Sequence, residues 1–175
     1  MNVLSFVDPS AEMAAALPMI NAIGPEDGGF QGVEKPLTPE TFPAYVAGLM
    51  DAAAGKQLPE GWVPINTYWL VLGGTQPVGI SRLRHRLTEG LLKRGGHIGY
   101  WIRPAERGKG YGTRLLALTC QKAGAIGIDR VLVTCHRDNR GSIRIIEKNG
   151  GILDPSLSSG PQEKELHYWI ETQNV

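Results

Sequence analysis

Six consecutive residues near the middle of the chain combine three glycines at alternate positions with two basic side chains. They are Arg107, Gly108, Lys109, Gly110, Tyr111 and Gly112. Glycine lets the backbone approach a ligand closely, because it has no Cβ. The segment follows a predicted strand and opens a predicted helix, whose N-terminus carries free amides and about half a positive charge. The pattern therefore predicts an anion site suited to a pyrophosphate.

Two other phosphate-binding patterns do not fit this segment. A P-loop requires Lys and then Ser or Thr after its last glycine, but Gly112 is followed by Thr113 and Arg114, and the glycine spacing also differs. A dinucleotide fingerprint requires G-x-G-x-x-G, whereas here the third glycine comes one residue early. No acidic residue ends a following strand at the required distance either.

The spacing instead resembles the cofactor motif of the GNAT acetyltransferases, R/Q-x-x-G-x-G/A, with Arg107, Gly110 and Gly112 at the defining positions. Residues 102–106 lead into the motif as that family's fourth strand and turn do. Residues 139–151 resemble its downstream helix, which begins with asparagine and a small residue and ends in Glu-Lys-x-Gly. The resemblance covers about residues 97–151 and implies an acetyl-CoA-dependent N-acetyltransferase that acts by direct attack in a ternary complex.

The resemblance also implies which residues contact acetyl-CoA. Backbone amides of residues 108–112, helped by Arg107, would bind the pyrophosphate. Main-chain hydrogen bonds from Ile102 and Arg103 would run along the pantetheine, while Asn139 and Ser142 would contact its far side. The full implied set is Ile102, Arg103, Arg107, Gly108, Lys109, Gly110, Tyr111, Gly112, Asn139 and Ser142.

The catalytic acid and base depart from the family's pattern. At pH 7 an alkyl amine of pKa about 10 loses its proton only at a cost of about 4 kcal/mol, so a base or a water relay is needed, and the leaving thiolate needs a proton. Many relatives supply that proton from a tyrosine in the downstream helix, where this chain has Ile146. The position that often holds a Glu or His on the fourth strand is Gly96.

Four nearby residues remain as candidates for these roles. They are Tyr100, His97, His85 and Glu89. Alternation along a strand places Tyr100 on the same face as Ile102, and it places His97 on the other face unless a bulge reverses the order.

Charge distribution suggests a cationic acceptor. The first 60 residues hold eight acidic side chains against two basic ones, and they correspond to the region where this superfamily builds its acceptor pocket. We predict that Glu26, Asp27 and Glu34 bind a small-molecule amine. The chain resembles a bacterial group of predicted acetyltransferases with aminoglycoside-modifying members, so an aminoglycoside is the leading expectation. The alternatives are a protein or peptide N-acetyltransferase and a non-catalytic acyl-CoA sensor.

The elements that position these residues follow from apolar periodicity and turn signals. We predict one domain over residues 1–175, with an acceptor-side region (1–60), a cofactor core (61–151) and C-terminal strands (152–175). Strands are expected at residues 3–7, 65–72, 77–85, 97–103, 131–135, 152–153 and 166–170, and helices at 11–20, 39–54, 108–124 and 139–149. The predicted class is α+β, with three α/β layers and a mixed, largely antiparallel sheet of about seven strands whose central pair is parallel, as in GNAT proteins.

Composition narrows the remaining possibilities. Cys120 and Cys135 fall in apolar segments and are expected to be reduced and buried, and no ligand spacing indicates a metal. Basic groups surround the glycine loop rather than forming a stripe with aromatics, so nucleic acid is not expected. No apolar run is long enough to span a membrane, so a cytoplasmic protein is predicted. The family resemblance leaves a homodimer open.

Overall fold

The computed structural model describes residues 3–24, 27, 30–158 and 164–174. The first sheet is antiparallel, in the order β1-β2-β3-β4. Its strands are β1 (Leu4–Val7), β2 (Ile65–Leu72), β3 (Gln76–Arg84) and β4 (Ile98–Ile102). The second sheet is also antiparallel, in the order β5-β7-β6, from β5 (Arg130–His136), β6 (Ile152–Leu153) and β7 (Glu165–Glu171).

Five α-helices accompany the sheets in the described part of the chain. They are α1 (Leu17–Asn21), α2 (Phe42–Ala53), α3 (Glu89–Lys93), α4 (Tyr111–Ala125) and α5 (Arg140–Lys148). Short 3-10 turns lie at Ala14–Ala16, Pro104–Glu106 and Thr172–Asn174. The α+β class and the seven strands agree with the sequence-based prediction.

The two faces of the first sheet form separate cores because successive side chains of a strand point to opposite faces. Trp69 and Val71 of β2 pack with α1 and α2, while Leu70 between them packs with Leu115 of α4. Leu70, Trp69 and Leu115 are fully buried. The sheet is therefore covered by helices on both faces, which gives three layers.

The first two helices start later than the sequence pattern predicted. We expected helices from residues 11 and 39, but α1 begins at Leu17 and α2 at Phe42. Each has a proline, Pro18 or Pro43, in its first turn. A proline deeper in a helix would remove a backbone hydrogen bond and clash with the preceding turn, so the proline fixes where each helix starts.

The polar insertion at residues 87–96 contains a helix that the sequence analysis missed. Helix α3 is one short turn, capped by Thr88, whose Oγ1 accepts a hydrogen bond from Leu91 N at 3.3 Å. The signal was available, because Thr before Glu is a common helix start.

Strands β4 and β5 meet at one end and then separate. His97 N donates to Leu132 O at 2.7 Å, and Leu132 N donates to Nδ1 of the same histidine at 2.9 Å. No ladder joins the two strands in the described residues, so the parallel central pair that we expected is not seen. Residues that follow the contact on both strands line a cleft instead.

Candidate active site

The cleft between β4 and β5 has a volume of about 720 Å³. Its walls come from β4, the end of β5, the N-termini of α4 and α5, and the loop around Asp27 and Phe30. Most of the residues singled out from the sequence motifs lie here. The cleft is therefore the place where the predicted site can be tested against geometry.

One wall of the cleft is a strand edge whose backbone groups are not used by the β3–β4 ladder. Hydrogen bonds from Arg84 N to His97 O and from Arg103 N to Val78 O bound the β3–β4 ladder. Because the bonding direction alternates along an antiparallel strand, the backbone groups of Tyr100 and Ile102 point away from β3. Ile102 therefore presents its main chain to the cleft, whereas the amide of Arg103 is used by β3 and its side chain does not line the cleft.

The glycine loop forms a cradle at the other end of the cleft. Gly108 and Gly110 line the cleft with φ angles of +80° and +84°, which L side chains rarely adopt. A Cβ at either position would meet no atom within 4 Å, so the backbone here is open to a ligand. The first helical bond of α4 runs from Arg114 N to Gly110 O, and no side chain caps the helix. Its first amides are therefore available to an anion.

Three other residues of the glycine motif, Gly112, Lys109 and Tyr111, have different structural roles. Gly112 lines the cleft and lets α4 approach α5, because a Cβ there would lie 2.6 Å from Ile145 Cδ1. Lys109 does not line the cleft, and its Nζ lies 2.8 Å from Oε2 of Glu106, which does. Tyr111 packs against the core beside Leu115. The side chains of these last two residues are thus not cleft walls, although their amides belong to the helix end.

Arg107 is held in place by three contacts. Its Nε donates to Ile102 O at 3.0 Å, its Nη2 lies 2.9 Å from Asp27 Oδ2, and its guanidinium lies 5.8 Å from the centre of the Trp101 ring. The Trp101 indole N–H also donates to Asp27 Oδ2, at 2.6 Å. This indole and then the guanidinium hold the pKa of the Asp27 carboxyl below its usual value, against the effect of burial.

Tyr100 and Ser142 bring two hydroxyl groups together inside the cleft. Tyr100 OH lies 2.7 Å from Ser142 Oγ, so β4 is bonded to the first turn of α5. Asn139 caps α5 by accepting from Ser142 N at 3.0 Å, which fixes that serine. Burial raises the pKa of Tyr100, although the bond to Ser142 offsets part of the effect. The phenol is therefore a proton donor at neutral pH.

The other three catalytic candidates lie outside the cleft wall. His97 is 7% exposed, its Nδ1 accepts from Leu132 N, and burial lowers its pKa to about 4. His85 forms a hydrogen bond with Asn66, and burial lowers its pKa. Glu89 is exposed at the start of α3. The structure thus brings only Tyr100 of the four candidates to the cofactor-binding residues.

Steric contacts explain both departures from the family's pattern. Gly96 has a φ of +60°, and a Cβ there would lie 2.4 Å from Leu132 O, so a glutamate or histidine could not occupy this position without moving β5. Ile146 is fully buried in the core between α5 and the sheets. The tyrosine hydroxyl in the cleft therefore comes from β4, at Tyr100, and the hydroxyl on α5 is that of Ser142.

The predicted acidic acceptor pocket is only partly present. Glu26 lies outside the described residues. Asp27 lines the cleft, but its carboxylate is paired with Arg107 and Trp101. Glu34 is exposed and does not line the cleft. These three residues do not form a shared anionic pocket in the described structure.

The sequence analysis missed two groups of cleft residues. The first is an ion pair, His136 Nε2 to Glu165 Oε1 at 3.0 Å, without the angle of a hydrogen bond. The pairing of β5 with β7 sets these two residues opposite each other. The second is a set of three cleft-lining arginines, Arg82, Arg84 and Arg94. A strand prediction that ended at residue 135 gave no reason to consider the residue after it.

The free amides of α4, the open glycine cradle and the β4 edge fit acetyl-CoA. The cradle suits the pyrophosphate, and the backbone of Ile102 suits the amides of the pantetheine arm. The described residues contain no group of three or more His, Cys, Asp or Glu side chains that could hold a metal. None of the helices in the described part of the chain is long and apolar enough to cross a membrane.

Comparisons with known proteins agree with this geometry. A family model described as an acetyltransferase (GNAT) domain matches residues 24–152. A search of curated proteins gives no match. One solved structure with a similar fold is the ribosomal-protein-S5-alanine acetyltransferase from Vibrio fischeri, with a TM-score of 0.69 and 13% identity over 98% of this chain and 97% of that chain.

Two further similar structures contain acetyl-CoA or a disulfide of CoA. YncA from Salmonella typhimurium, solved with acetyl-CoA, has a TM-score of 0.64 and 14% identity over 98% of this chain and 95% of that chain. RimJ from Mycobacterium smegmatis, in complex with CoA-disulfide, has a TM-score of 0.65 and 18% identity over 99% of this chain and 84% of that chain. Because the family model covers most of the chain and the cradle for a pyrophosphate is present, this protein belongs to the GNAT family and is an acetyl-CoA-dependent acetyltransferase.

Proposed function

We propose that this protein acetylates the α-amino group at the N-terminus of a peptide or protein. The observation that carries the proposal is the charge of the cleft on the side away from the glycine cradle. Arg82, Arg84 and Arg94 line it. Of the carboxylates that face it among the described residues, Asp27 pairs with Arg107, and Glu165 lies 3.8 Å from Arg94 Nε. A polycationic acceptor would meet like charges there, which opposes binding.

The names of the structural neighbours support the same acceptor class. The Vibrio fischeri protein is named for an alanine of a ribosomal protein. At 13% identity this likeness shows the fold alone, so the acceptor of that protein serves here only as a guide. The aminoglycoside expected from the acidic N-terminal region has no pocket of acidic side chains to support it among the described residues.

Glu165 and His136 are the groups placed to accept the proton of the attacking amine. The Glu165 side chain is 12% exposed, and that of His136 is 36% exposed, so the pair lies at the wall of the cleft and still reaches water. The carboxylate lies next to the imidazole, and the exposed part of the His136 side chain gives the pair a route for a proton to solvent. Neither residue had been identified from the sequence motifs.

Tyr100 and Ser142 are the groups placed to return a proton. Acetyl-CoA, when bound, supplies an acetyl group activated as a thioester, and the resemblance to GNAT enzymes implies that its pantetheine would run along β4. The two hydroxyl groups lie next to that strand and share a hydrogen bond of 2.7 Å. Proton donation from Ser142 to the departing thiolate can be followed by proton transfer from Tyr100 to the serine oxygen. The negative charge then rests on the Tyr100 phenolate until a proton from water restores the pair.

The proposed function is tested by thiol release from acetyl-CoA with three acceptor classes. These are short peptides with a free N-terminus, an aminoglycoside and a linear polyamine. We expect turnover with peptides, with the acetyl group found on the N-terminal amine by tandem mass spectrometry. Turnover with the aminoglycoside alone would overturn the peptide acceptor, and tight acetyl-CoA binding without turnover on any amine would support the acyl-CoA sensor.

Two variants test the assignment of the base. Glu165→Gln removes the carboxylate but keeps the shape, and His136→Asn removes the imidazole. We expect kcat to fall about 100-fold in the first variant, in the range for loss of general base catalysis, with acetyl-CoA affinity within threefold of the wild type. Peptide turnover that is unchanged in both variants would exclude this pair as the base.

A further inference from the structure

Five arginines line the cleft, and three of them, Arg82, Arg84 and Arg94, have no catalytic role in the proposed reaction. Two of these three lie side by side. Arg82 and Arg84 are two residues apart on β3, so their side chains point to the same face of the sheet. That face carries Phe30 and Gln31 and is opposite the face covered by α4. Arg94, at the end of α3, lines the same part of the cleft.

The contacts of Arg82 are with neutral groups. Its Nη1 donates to Gln31 O at 2.9 Å, and its guanidinium lies 4.5 Å from the centre of the Phe30 ring. It also lies near the buried hydroxyl of Tyr45, whose pKa is raised by burial and lowered to a smaller extent by Arg82. These contacts hold the side chain over the cleft without neutralising its charge.

The contacts of Arg84 are also with neutral groups, and its side chain is more buried. Its Nη1 donates to Gly95 O at 3.0 Å and to Gly96 O at 3.2 Å, which ties it to the loop before β4. Burial lowers the pKa of Arg84, and repulsion from Arg82 lowers it further. The guanidinium groups of Arg82 and Arg84 contact carbonyl oxygens and an aromatic ring, and none of these contacts supplies a negative charge to offset their mutual repulsion. A bound anion would relieve this repulsion.

The nearby carboxylates of the described chain do not supply that anion. Asp27 binds Arg107 and Trp101, and Glu165 pairs with His136 at 3.0 Å and lies 3.8 Å from Arg94 Nε. Within the part of the chain that the structure describes, a counterion for Arg82 and Arg84 is therefore left to solvent or to the acceptor. Arginine is suited to this task because its planar group binds a carboxylate with two parallel hydrogen bonds.

We infer that the acceptor carries a carboxylate close to the amine that is acetylated, and that Arg82 and Arg84 bind this carboxylate. The inference rests on the proposed function and narrows it to acidic N-terminal segments. A side-chain carboxylate of the second or third residue of a peptide is the expected source. The α-carboxylate of a free amino acid has the same chemistry and is the other source that the experiment separates.

The experiment compares peptides that differ only in charge near the N-terminus. One begins Ser-Asp-Glu and its partner begins Ser-Asn-Gln, with identical remaining sequence and an amidated C-terminus, so that side chains supply the only carboxylates. A free amino acid forms the third arm. We expect kcat/KM to be at least tenfold higher for the acidic peptide than for its amide partner, and the difference to shrink as salt rises.

A matched pair of arginine variants tests the assignment to the cleft. Arg82→Gln should lower the ratio of acidic to amide kcat/KM at least fivefold, while Arg86→Gln should leave the ratio unchanged. Arg86 is exposed, follows β3 and does not line the cleft, so this control removes the same charge from the same strand end. Equal kcat/KM for the two peptides, or an unchanged ratio in Arg82→Gln, would overturn the inference.

A measurement of peptide binding tests the carboxylate site independently of the proposed acetylation. The dissociation constant of each peptide for the CoA-loaded protein can be measured by calorimetry without turnover. Tighter binding of the acidic peptide, lost in Arg82→Gln, would support the carboxylate site even if no peptide were acetylated. Acetylation of both peptides with equal dissociation constants would leave the proposed function intact and reject the carboxylate site. A preference for the free amino acid over both peptides would identify the α-carboxylate as the source.

Discussion

The hydroxyl groups of Tyr100 and Ser142 lie 2.7 Å apart across the cleft, although the residues are 42 positions apart in the chain. Family resemblance led us to seek a tyrosine on α5, where Ile146 is instead buried in the core. The tyrosine is on β4, and the serine at the start of α5 meets it. A hydroxyl group thus reaches the same part of the cleft from a different element.

Loss of the serine hydroxyl should slow acetyl transfer without weakening cofactor binding. We expect Ser142→Ala to lower kcat about 100-fold, because a general acid contributes by this order of magnitude. Ser142→Thr keeps the hydroxyl and should retain at least a third of the activity. Steady-state kinetics with calorimetry of CoA binding checks both. A fall in affinity that matches the fall in kcat would instead indicate a binding role.

Removal of the phenol tests whether the two hydroxyl groups act as one unit. Tyr100→Phe should lower kcat by a factor similar to that of Ser142→Ala, and the double variant should lose little more than either single one. Groups in one network are not additive, so the double-mutant cycle measures their coupling. Fully additive losses would show that each hydroxyl acts independently.

The glycine cradle can be tested with a matched pair of alanine variants. Gly110 and Gly127 have φ angles of +84° and +82°, and a Cβ at either would meet no atom within 4 Å. Both Gly110→Ala and Gly127→Ala should therefore destabilise the fold by roughly 1–2 kcal/mol through backbone strain. Only Gly110→Ala should weaken CoA binding, by about tenfold, because Gly127 lies beyond the other end of α4. Equal CoA affinities in a calorimetric titration would rule out the cradle.

Cys135 offers a test of direct attack. The thiol lies in the cleft wall, and burial raises its pKa to about 11, so very little thiolate exists at pH 7. An acetylated cysteine intermediate is therefore not expected, and Cys135→Ala should keep kcat within about threefold. Mass spectrometry of the protein after incubation with acetyl-CoA checks for the adduct. An acetyl group on Cys135, with loss of turnover in the variant, would favour a two-step mechanism.

His97 should make stability depend on pH. Burial lowers its pKa in the folded protein to about 4, below the ordinary value of about 6.5. Between these values the unfolded chain binds a proton that the folded protein does not, so stability should fall as pH falls from 6.5 towards 4. The slope from this residue approaches about 1.4 kcal/mol per pH unit. Urea unfolding of wild type and His97→Asn at several pH values checks this, and identical slopes would contradict it.

The sequence by itself determined the parts of this protein that are local in the chain. The cradle is a run of glycines next to a helix start, so its backbone conformation and its free amides follow from neighbouring residues. All seven strands differ from their predicted bounds by one residue at most at either end. The helix starts at Leu17 and Phe42 were also accessible, because Pro18 and Pro43 mark the first turn.

Only the tertiary structure decided which side chains line the cleft and which groups they contact. The β5–β7 pairing places Glu165 against His136, and the divergence of β4 from β5 turns an expected strand pair into a binding cleft. The count of acidic residues in the first 60 positions indicated a cationic acceptor, but a count gives no positions in space. The Asp27 carboxylate pairs with Arg107, and the Glu34 side chain is exposed to solvent. Arg82 and Arg84 of β3 line the cleft. Long-range packing sets these directions, and no local pattern records them.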